Sequence, residues 1–503
     1  MMFRLATDPL FLTDAYKLDH RRQYPPGTTR VYSNLTHRAS RVDGVEHVVH
    51  FGLQAFLRDV LEDSFAAFFA ADVDRVCAEY ERRVTSILGP NHIGSDHIRA
   101  LHALGYLPLS IRSLPEGTLV PLRVPVLTVE NTHPEFFWLT NYLETALSAA
   151  IWQPSTSATT AWRMRRLLTA RAADTGADPA AVEFQAHDFS FRGMPGIEAA
   201  AASGAAHLLS FSGSDSLVAA DWIDYFYPDE PGARPEPLLA SVAATEHSVM
   251  CAGTKESEDD TYRRLLGLYP SGIVSVVSDT FDLWRVLTET LPALRDRITA
   301  RDGTLVIRPD SGDPETILCG TDADDSPAGL GVVRLLWETF GGEVNEAGYR
   351  VLDPHVGVIY GDSITYARAE AITARLARMG FASTTVVFGM GSYSYQYVTR
   401  DTFSSAVKAT YVEVDGVGRD IHKDPVTDSG TKRSAKGRLA VLPDAEGNLI
   451  AHEQATPAQE DASALVEVWR DGKCLRPVGF AEIRARVRAQ ADQAEKCRLQ
   501  SPR

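Results

Sequence analysis

A chain of 503 residues with 44% apolar and 23% charged side chains is long enough for two domains with substantial cores, and it has the make-up of an ordinary soluble globular protein. Its net charge of −16 argues against general nucleic-acid affinity, which needs clustered Lys and Arg, but leaves room for an anionic small molecule on a local Arg cluster. Five dispersed cysteines (Cys77, Cys251, Cys319, Cys474 and Cys497) lack CxxC or metal-ligand spacing and read as reduced, buried thiols of a cytoplasmic protein; no stretch approaches the ~20 apolar residues of a membrane span.

The segment Leu12-Thr13-Asp14-Ala15-Tyr16-Lys17-Leu18 predicts a short helix, capped by Thr13 or Asp14 and closed by Pro25-Pro26-Gly27. On sequence alone Tyr16 is an amphipathic residue at a core edge. Residues 31–35 alternate like a strand and lead to Arg38, and residues 51–90 read as helices with Phe51, Leu53, Phe56, Leu57 and Val60 on one face. Residues 107–111 and 118–122 flank the turn Pro115-Glu116-Gly117, predicting a hairpin, and residues 126–130 form a further strand. From about Phe136 a long helical region begins. Beyond 405 the β texture returns in residues 409–414 and 438–442, with Lys423-Asp424-Pro425 and the basic run 432–438 between them. A run of that kind ordinarily reads as a solvated loop. The chain ends in a charged, peripheral helix over 480–499. The expected organisation is a discontinuous β-rich domain, 1–135 with 401–503, and a second domain over 136–400.

Within that second domain a pattern repeats. The run Val182, Phe184, Ala186 predicts a strand; it leads into His187-Asp188-Phe189-Ser190-Phe191-Arg192-Gly193 and an alanine-rich helix over 198–209. Residues 273–278 end in Asp279, residues 304–307 in Arg308-Pro309-Asp310-Ser311-Gly312, residues 356–360 in Gly361-Asp362-Ser363, and residues 385–388 in Gly389-Met390-Gly391. Residues 243–248, ending in Thr245-Glu246-His247-Ser248, are a further small-residue run of this type. After Ser363, the stripe Ile364, Ala367, Ala371, Ile372, Leu376 and Met379 marks a helix that Gly380 stops. Nearly continuous apolar runs are strands buried on both faces. The fold class is therefore α/β, an irregular parallel (β/α) barrel beside a β-rich domain, with a site built from the loops at the carboxyl ends of the strands.

Arg192, Arg308, Asp279, Asp310, Asp362 and the glycine turn at Gly389-Met390-Gly391 share that face. Guanidinium forks bind phosphate bidentately, and a glycine turn at a helix start offers it backbone N–H groups. Carboxylates beside them suit a ribose diol or Mg2+, while Phe189 and Phe191 suit a flat ring. The residues alone point to a phosphorylated sugar plus a planar heterocycle. No Walker A sequence is present. Taken singly, His247 reads as a hydrogen-bonded structural histidine and Asp215 as a turn or cap residue.

The sequence also resembles a known family. The motifs run from Thr13-Asp14-Ala15-Tyr16-Lys17 through Val129-Glu130-Asn131-Thr132, Trp138-Leu139-Thr140-Asn141, His187-Asp188-Phe189, Glu246-His247-Ser248, Val276-Val277-Ser278-Asp279, Ile307-Arg308-Pro309-Asp310-Ser311-Gly312, Gly361-Asp362 and Thr399-Arg400-Asp401 to Lys423-Asp424-Pro425-Val426 and Lys436-Gly437-Arg438-Leu439. In order and spacing these resemble the nicotinamide phosphoribosyltransferases. Those are type II phosphoribosyltransferases that make nicotinamide mononucleotide and pyrophosphate from nicotinamide and phosphoribosyl pyrophosphate in NAD salvage. The resemblance implies that Phe189, with Tyr16 of the partner subunit, stacks on the pyridine ring, and that Asp215 accepts a hydrogen bond from the carboxamide. It implies that Arg308 reaches both the amide and phosphate, that Asp310 and Asp279 fix ribose or support Arg308, and that Arg192, Gly361, Asp362, Gly389 and Gly391 hold the 5′-phosphate side. Asp14, Arg38, Arg400, Lys408, Lys423 and the basic loop from Lys432 would come from the partner to meet pyrophosphate, so a homodimer with shared active sites is implied. Further implications are Mg2+ on the pyrophosphate and ATP as an optional activator that phosphorylates His247, with Glu246 orienting the ring. The alternatives are a nicotinate phosphoribosyltransferase and a non-catalytic binding protein on the same scaffold. Departures from the family pattern are the run Gly389-Met390-Gly391-Ser392-Tyr393 after Phe388, Met194-Pro195-Gly196-Ile197 in place of a more polar stretch, Ala406 in place of a serine, and Phe191 without a tyrosine's hydroxyl.

Overall fold

Seven short strands pair in parallel: β1 (Ala186–Asp188), β2 (Gly213–Ser214), β3 (Ala243–Ala244), β4 (Val274–Val277), β5 (Leu305–Arg308), β6 (Val356–Tyr360) and β7 (Val386–Met390), in the order β2-β1-β7-β6-β5-β4-β3. The computed structural model describes residues 8–234, 238–321, 324–423 and 434–500, with side chains through Ala491. A parallel bridge from Gly213 to Ala240, just ahead of β3, brings the two sheet edges together, so the sheet curls towards closure as an irregular barrel. Val274, Val276, Leu305, Ile307, Val358 and Phe388 are fully or almost fully buried, and each such side chain contributes roughly 1.5–3 kcal/mol relative to exposure. Register matters more for function. Arg308 sits opposite Val277, Tyr360 opposite Phe388, Met390 opposite Asp188, and Asp188 opposite Ser214. The residues that follow these strands therefore leave the sheet at one edge.

Helices cover the sheet. Ile197–Leu208 follows the β1 loop, and Tyr366–Arg378 follows β6 with the Thr365 hydroxyl accepting from the Arg368 N–H at 3.3 Å. That second helix buries Ala369, Ile372, Thr373 and Leu376, while Ala367 is exposed, so the expected stripe holds except at its second member. The strand expected over Val182, Phe184 and Ala186 is instead a 3-10 helix, Pro179–Phe184, and β1 begins only at Ala186. Val182 turns into the core while Phe184 stays exposed, which an alternating strand would not do.

The other unit is an antiparallel sheet. Its order is Val417–Asp420, Ser405–Val414, Thr28–His37, Pro125–Asn131, Leu109–Ser113, Val466–Arg470 and Lys473–Cys474. Its core gathers Leu35, Phe56, Leu127, Ile151 and Trp469. The hairpin expected about Pro115-Glu116-Gly117 does not form. Leu109–Ser113 pairs with Pro125–Asn131, and Leu119–Pro121 pairs with His47–Val49. The reason is Glu116. Its buried carboxylate accepts from the backbone N–H groups of Gly52 (2.6 Å) and Gln54 (2.7 Å) and from the Tyr227 hydroxyl (3.0 Å), capping the helix that opens at Leu53.

By contact the chain divides into Met1–Thr159 with Trp222–Arg234 and Val398–Val487, and Thr160–Asp221 with Pro235–Tyr397 and Arg488–Arg503. The division falls inside the helix Glu144–Asp174, because Leu139, Tyr142, Leu143, Leu147 and Ile151 belong to the core of the antiparallel sheet. The helix expected to be peripheral at the C-terminus, Phe480–Gln500, buries Phe480, Ile483 and Val487. Cys77 and Cys319 are buried as expected; Cys251 is exposed. Among the described residues no helix is long and apolar enough to cross a membrane.

Candidate active site

The carboxyl ends of β1, β2, β5, β6 and β7 surround a cavity of about 570 Å3, to which Phe189, Phe191, Arg192, Asp215, Arg308 and Asp310 contribute, with Gly361, Asp362, Gly391 and Tyr393 on the side of β6 and β7. A second cavity of about 350 Å3 shares Phe189, Asp215 and Arg308 and continues along His187, Val306, Ile359 and Val387. The first wall is rich in charge and the second is mostly aliphatic. A molecule with a flat apolar end and an anionic end finds both within the parallel unit.

At the junction stands Asp215. Its Oδ1 accepts from His187 Nε2 at 3.1 Å and from the Ser241 hydroxyl. Burial raises its pKa, but these two hydrogen bonds and the charge of Arg308 outweigh burial and hold the carboxyl below the usual range. Both side-chain bonds land on Oδ1, so Oδ2 is the oxygen available to a ligand donor. Arg308 is fixed by a 2.6 Å bond from Nη2 to the Thr245 carbonyl, while its Nε is buried without a partner among the described residues. Burial lowers the pKa of this guanidinium; Asp310 and Asp215 oppose that, and Arg192 adds to it. An unsatisfied charged donor beside a second guanidinium is the electrostatic signature of an anion site.

Asp279 and Asp310 form the next layer. Asp279 Oδ2 accepts from the Asp310 backbone N–H at 3.0 Å and from the Ser311 hydroxyl at 2.5 Å, and Oδ1 lies 3.3 Å from His247 Nε2. The Asp279 side chain is 6% exposed and that of His247 49%. Asp279 thus braces the β5 loop and the histidine, while Asp310 faces the cavity. Burial pushes the Asp310 carboxyl up, the more so with Asp279 and Asp362 near, against the pull of Arg308 and His247. Glu246 accepts from Ser248, and the partner of His247 is Asp279, so the expected orienting role of Glu246 falls to Asp279.

Phe189 owes its place to two glycines. A Cβ on Gly361 would stand 3.2 Å from the Phe189 ring, and one on Gly389 would stand 2.4 Å from it and 2.7 Å from the Gly361 Cα. Gly389, expected on the phosphate turn, lies within β7 and does not line the cavity. Gly391 does line it and precedes the one-turn helix Ser392–Tyr395. The sequence reading missed Ser241, which carries no local signal, and the part of His187, which is buried beside Phe189 with ring centroids 4.9 Å apart.

Among the described residues, those expected from the partner lie in the antiparallel unit. Asp14 Oδ2 accepts from the Thr145 hydroxyl at 2.6 Å, and Tyr16 is 63% exposed, edge-on to His20 at 5.2 Å. Arg38 Nε donates to the Ser404 carbonyl at 3.2 Å, and Arg400 pairs with Asp401 at 2.8 Å. Lys408 lies 3.8 Å from Glu144; burial lowers its pKa, Glu144 opposes that, and Arg38, Lys17 and Arg400 lower it further. Such crowding of cations is relieved by an anion. Lys423 is exposed, and residues 424–433, with Lys432 of the basic run, lie outside the described residues. Arg438, at the end of that run, is taken up structurally. It pairs with Glu130 at 2.9 Å and Glu460 at 2.7 Å and lies over the Tyr32 ring at 4.7 Å.

Fold and site together define a phosphoribosyltransferase of the barrel class. Residues 184–469 match the model of the nicotinate phosphoribosyltransferase (NAPRTase) family and residues 8–85 that of the nicotinamide phosphoribosyltransferase N-terminal domain. The chain is 50% identical over 98% of its length to the nicotinamide phosphoribosyltransferase of Acinetobacter baylyi, covering 99% of that protein. It is 36% identical over 95% of its length to that of Xanthomonas campestris, covering 98% of that protein. The crystal structure of human nicotinic acid phosphoribosyltransferase superposes with a TM-score of 0.53 at 18% identity, covering 98% of this chain and 96% of that one, a likeness of fold. The chain belongs to the nicotinate phosphoribosyltransferase family and, within it, to the nicotinamide phosphoribosyltransferases.

Proposed function

We propose that the chain transfers the phosphoribosyl group of phosphoribosyl pyrophosphate to the ring nitrogen of nicotinamide, releasing nicotinamide mononucleotide and pyrophosphate. The observation that carries this reading is Asp215, held ionised at the junction of the aliphatic and the charged cavity, beside Phe189 and Arg308, which line both. An ionised acceptor there welcomes the carboxamide NH2 and repels the carboxylate of nicotinate. Phe189 orients the ring, Arg308 and Arg192 bind the anionic end, and Asp310 and Asp362 suit ribose hydroxyls.

The reaction is a displacement at the anomeric carbon. The C–N bond forms as the C–O bond to pyrophosphate breaks, and the pair of electrons leaves with pyrophosphate. The ring nitrogen carries no proton, so no general base is required. The chain supplies positioning and charge on the leaving group. Among the described residues no three His, Cys, Asp or Glu side chains gather into a metal cage; Mg2+ usually takes one or two carboxylates with waters and phosphate, and Asp310 and Asp362 on the cavity wall fit that donor set. Bound there, Mg2+ would neutralise phosphate charge. The half-exposed His247, steadied by Asp279, suits phosphorylation by ATP, with the ring nitrogen taking the terminal phosphoryl group and ADP leaving.

We infer a homodimer with shared sites. The residues that the family resemblance assigns to one subunit and those it assigns to its partner separate cleanly between the two units of the chain. The thiols of Cys77, Cys251 and Cys474, which form no disulfide, support a cytoplasmic setting. The test of the site is a pair of variants. Arg308→Ala is expected to cut kcat/KM by roughly 10²-fold or more, and Asp215→Ser to narrow the preference for nicotinamide over nicotinate by roughly 10²-fold. Full turnover in Arg308→Ala, or an unchanged preference in Asp215→Ser, contradicts the assignment.

A further inference from the structure

In the antiparallel unit a cavity of about 410 Å3 is lined by Asn34, Thr36, Arg38, Lys408 and Ser434, with Glu453 on its wall, and also by Arg123. Arg123 occupies a costly place. The chain turns at Pro121–Val124, where the Val124 N–H donates to the Pro121 carbonyl at 3.2 Å, and Arg123 stands third in that turn with φ of +72°. Glycine or asparagine is the usual residue there, because a Cβ meets the backbone in the left-handed region. The turn itself is held by main-chain bonds, Leu122 N–H to the Glu46 carbonyl at 2.8 Å and Arg123 N–H to the His37 carbonyl at 2.8 Å, and these need no particular side chain. The guanidinium, exposed and without a carboxylate partner among the described residues, is therefore not what builds the turn. Backbone strain retained where the fold does not require that side chain points to use of the side chain.

The surroundings say what use. Arg38 and Lys408 share the cavity with Arg123, giving three cations against Glu453, whose Oε2 accepts from the Lys436 N–H at 3.2 Å. Thr36 and Ser434 add hydroxyls, whereas Ala406 lines the same wall and offers no donor. Arginine's planar fork meets a phosphate with two parallel bonds, which a lysine or hydroxyl does not. We propose that Arg123 is a binding residue for the pyrophosphate moiety, joining Arg38 and Lys408 in a three-cation anion site, at a turn position where glycine would be more stable. This rests on the phosphoribosyl-transfer reading of the protein. Arg123 binds the pyrophosphate of the donor substrate and of the product, and it leaves recognition of the base untouched.

The experiment compares Arg123→Gly, Arg123→Ala and Arg123→Lys in the full-length protein, by steady-state kinetics, thermal unfolding and calorimetric titration with Mg2+-pyrophosphate. Arg123→Gly removes both fork and strain. It is expected to lower kcat/KM for phosphoribosyl pyrophosphate about tenfold, to weaken pyrophosphate binding in parallel, to leave KM for nicotinamide within about twofold, and to hold or raise Tm by about 1–2 °C. Arg123→Ala shows the same kinetic loss without the gain in Tm, and Arg123→Lys recovers part of it. Unchanged kcat/KM for phosphoribosyl pyrophosphate and unchanged pyrophosphate binding in Arg123→Gly overturn the proposal. A wild-type protein that binds pyrophosphate through Arg123 but makes no nicotinamide mononucleotide would sink the reaction assignment and keep the anion site.

Discussion

At Asp215 two donors converge on one carboxylate oxygen, and at Phe189 two glycines clear the space for one ring; the chemistry of the site is set by such single-residue arrangements. Gly389 gives a sharp case. It reads in the sequence as part of a phosphate-binding turn, because Gly-Met-Gly after an apolar run resembles one. In the structure it is a strand residue whose missing side chain admits the Phe189 ring. Gly389→Ala is expected to displace that ring and raise KM for nicotinamide by roughly tenfold or more, with a smaller effect on phosphoribosyl pyrophosphate, since a sub-ångström shift of a positioning group is costly. Equal losses on both substrates in steady-state kinetics would place Gly389 on the phosphate side after all. Of the residues read on the barrel face, Arg192, Arg308, Asp310, Asp362 and Gly391 line one cavity and Asp279 and Gly389 do not, while Asp215, which only the family resemblance singled out, lines it too. Ser241 was out of reach because it meets Asp215 only through the bridge between Gly213 and Ala240.

Elements explain what was legible. Strands β4 to β7 are nearly unbroken apolar runs with polar residues after them, so their existence and the functional edge can be read locally, whereas β1 (Ala-His-Asp) and β2 (Gly-Ser) carry no such run. The antiparallel sheet pairs Thr28–His37 with Ser405–Val414, partners so distant in sequence that no local pattern announces them. The false hairpin at Pro115-Glu116-Gly117 has the same origin, for the buried cap that Glu116 provides is a tertiary fact. This sheet unit also carries buried neutral histidines. Burial drives His37 down to about 4, and His50 and His97 to about 3; their hydroxyl partners are Ser405 at 2.7 Å, Ser113 at 2.9 Å and Tyr80 at 3.4 Å. An unfolded histidine takes up its proton near 6.5. Below that pH the unfolded chain binds protons that the folded chain does not, so their stabilisation is complete above about 6.5 and is lost as pH falls towards 4, by up to ~1.4 kcal/mol per pH unit for each histidine. Glu116, pushed up by burial, works in the opposite sense on the acid side. Thermal unfolding at pH 7.5 and pH 5 is expected to show a clear fall in Tm, smaller in His50→Gln. A flat profile would mean that these histidines are not buried neutral.

On the scale of the whole molecule, the residues proposed for base and ribose belong to one unit, and Arg38, Lys408 and Arg123, proposed for pyrophosphate, to the other. If each active site is completed by the partner subunit, Arg38→Ala and Arg308→Ala damage different halves of it. Each variant alone is expected to be nearly inactive, and mixing them after dissociation should restore about a quarter of wild-type activity, since half the dimers are mixed and each holds one intact site. No recovery on mixing would contradict shared sites.

The central claim, that this chain makes nicotinamide mononucleotide, is tested most directly by one measurement. The wild-type protein is given phosphoribosyl pyrophosphate and Mg2+, and kcat/KM is compared for nicotinamide and nicotinate. A pocket built around an amide hydrogen bond to an ionised Asp215 predicts a preference for nicotinamide on the order of 10⁴-fold. A preference for nicotinate, or turnover of neither base, would contradict the account.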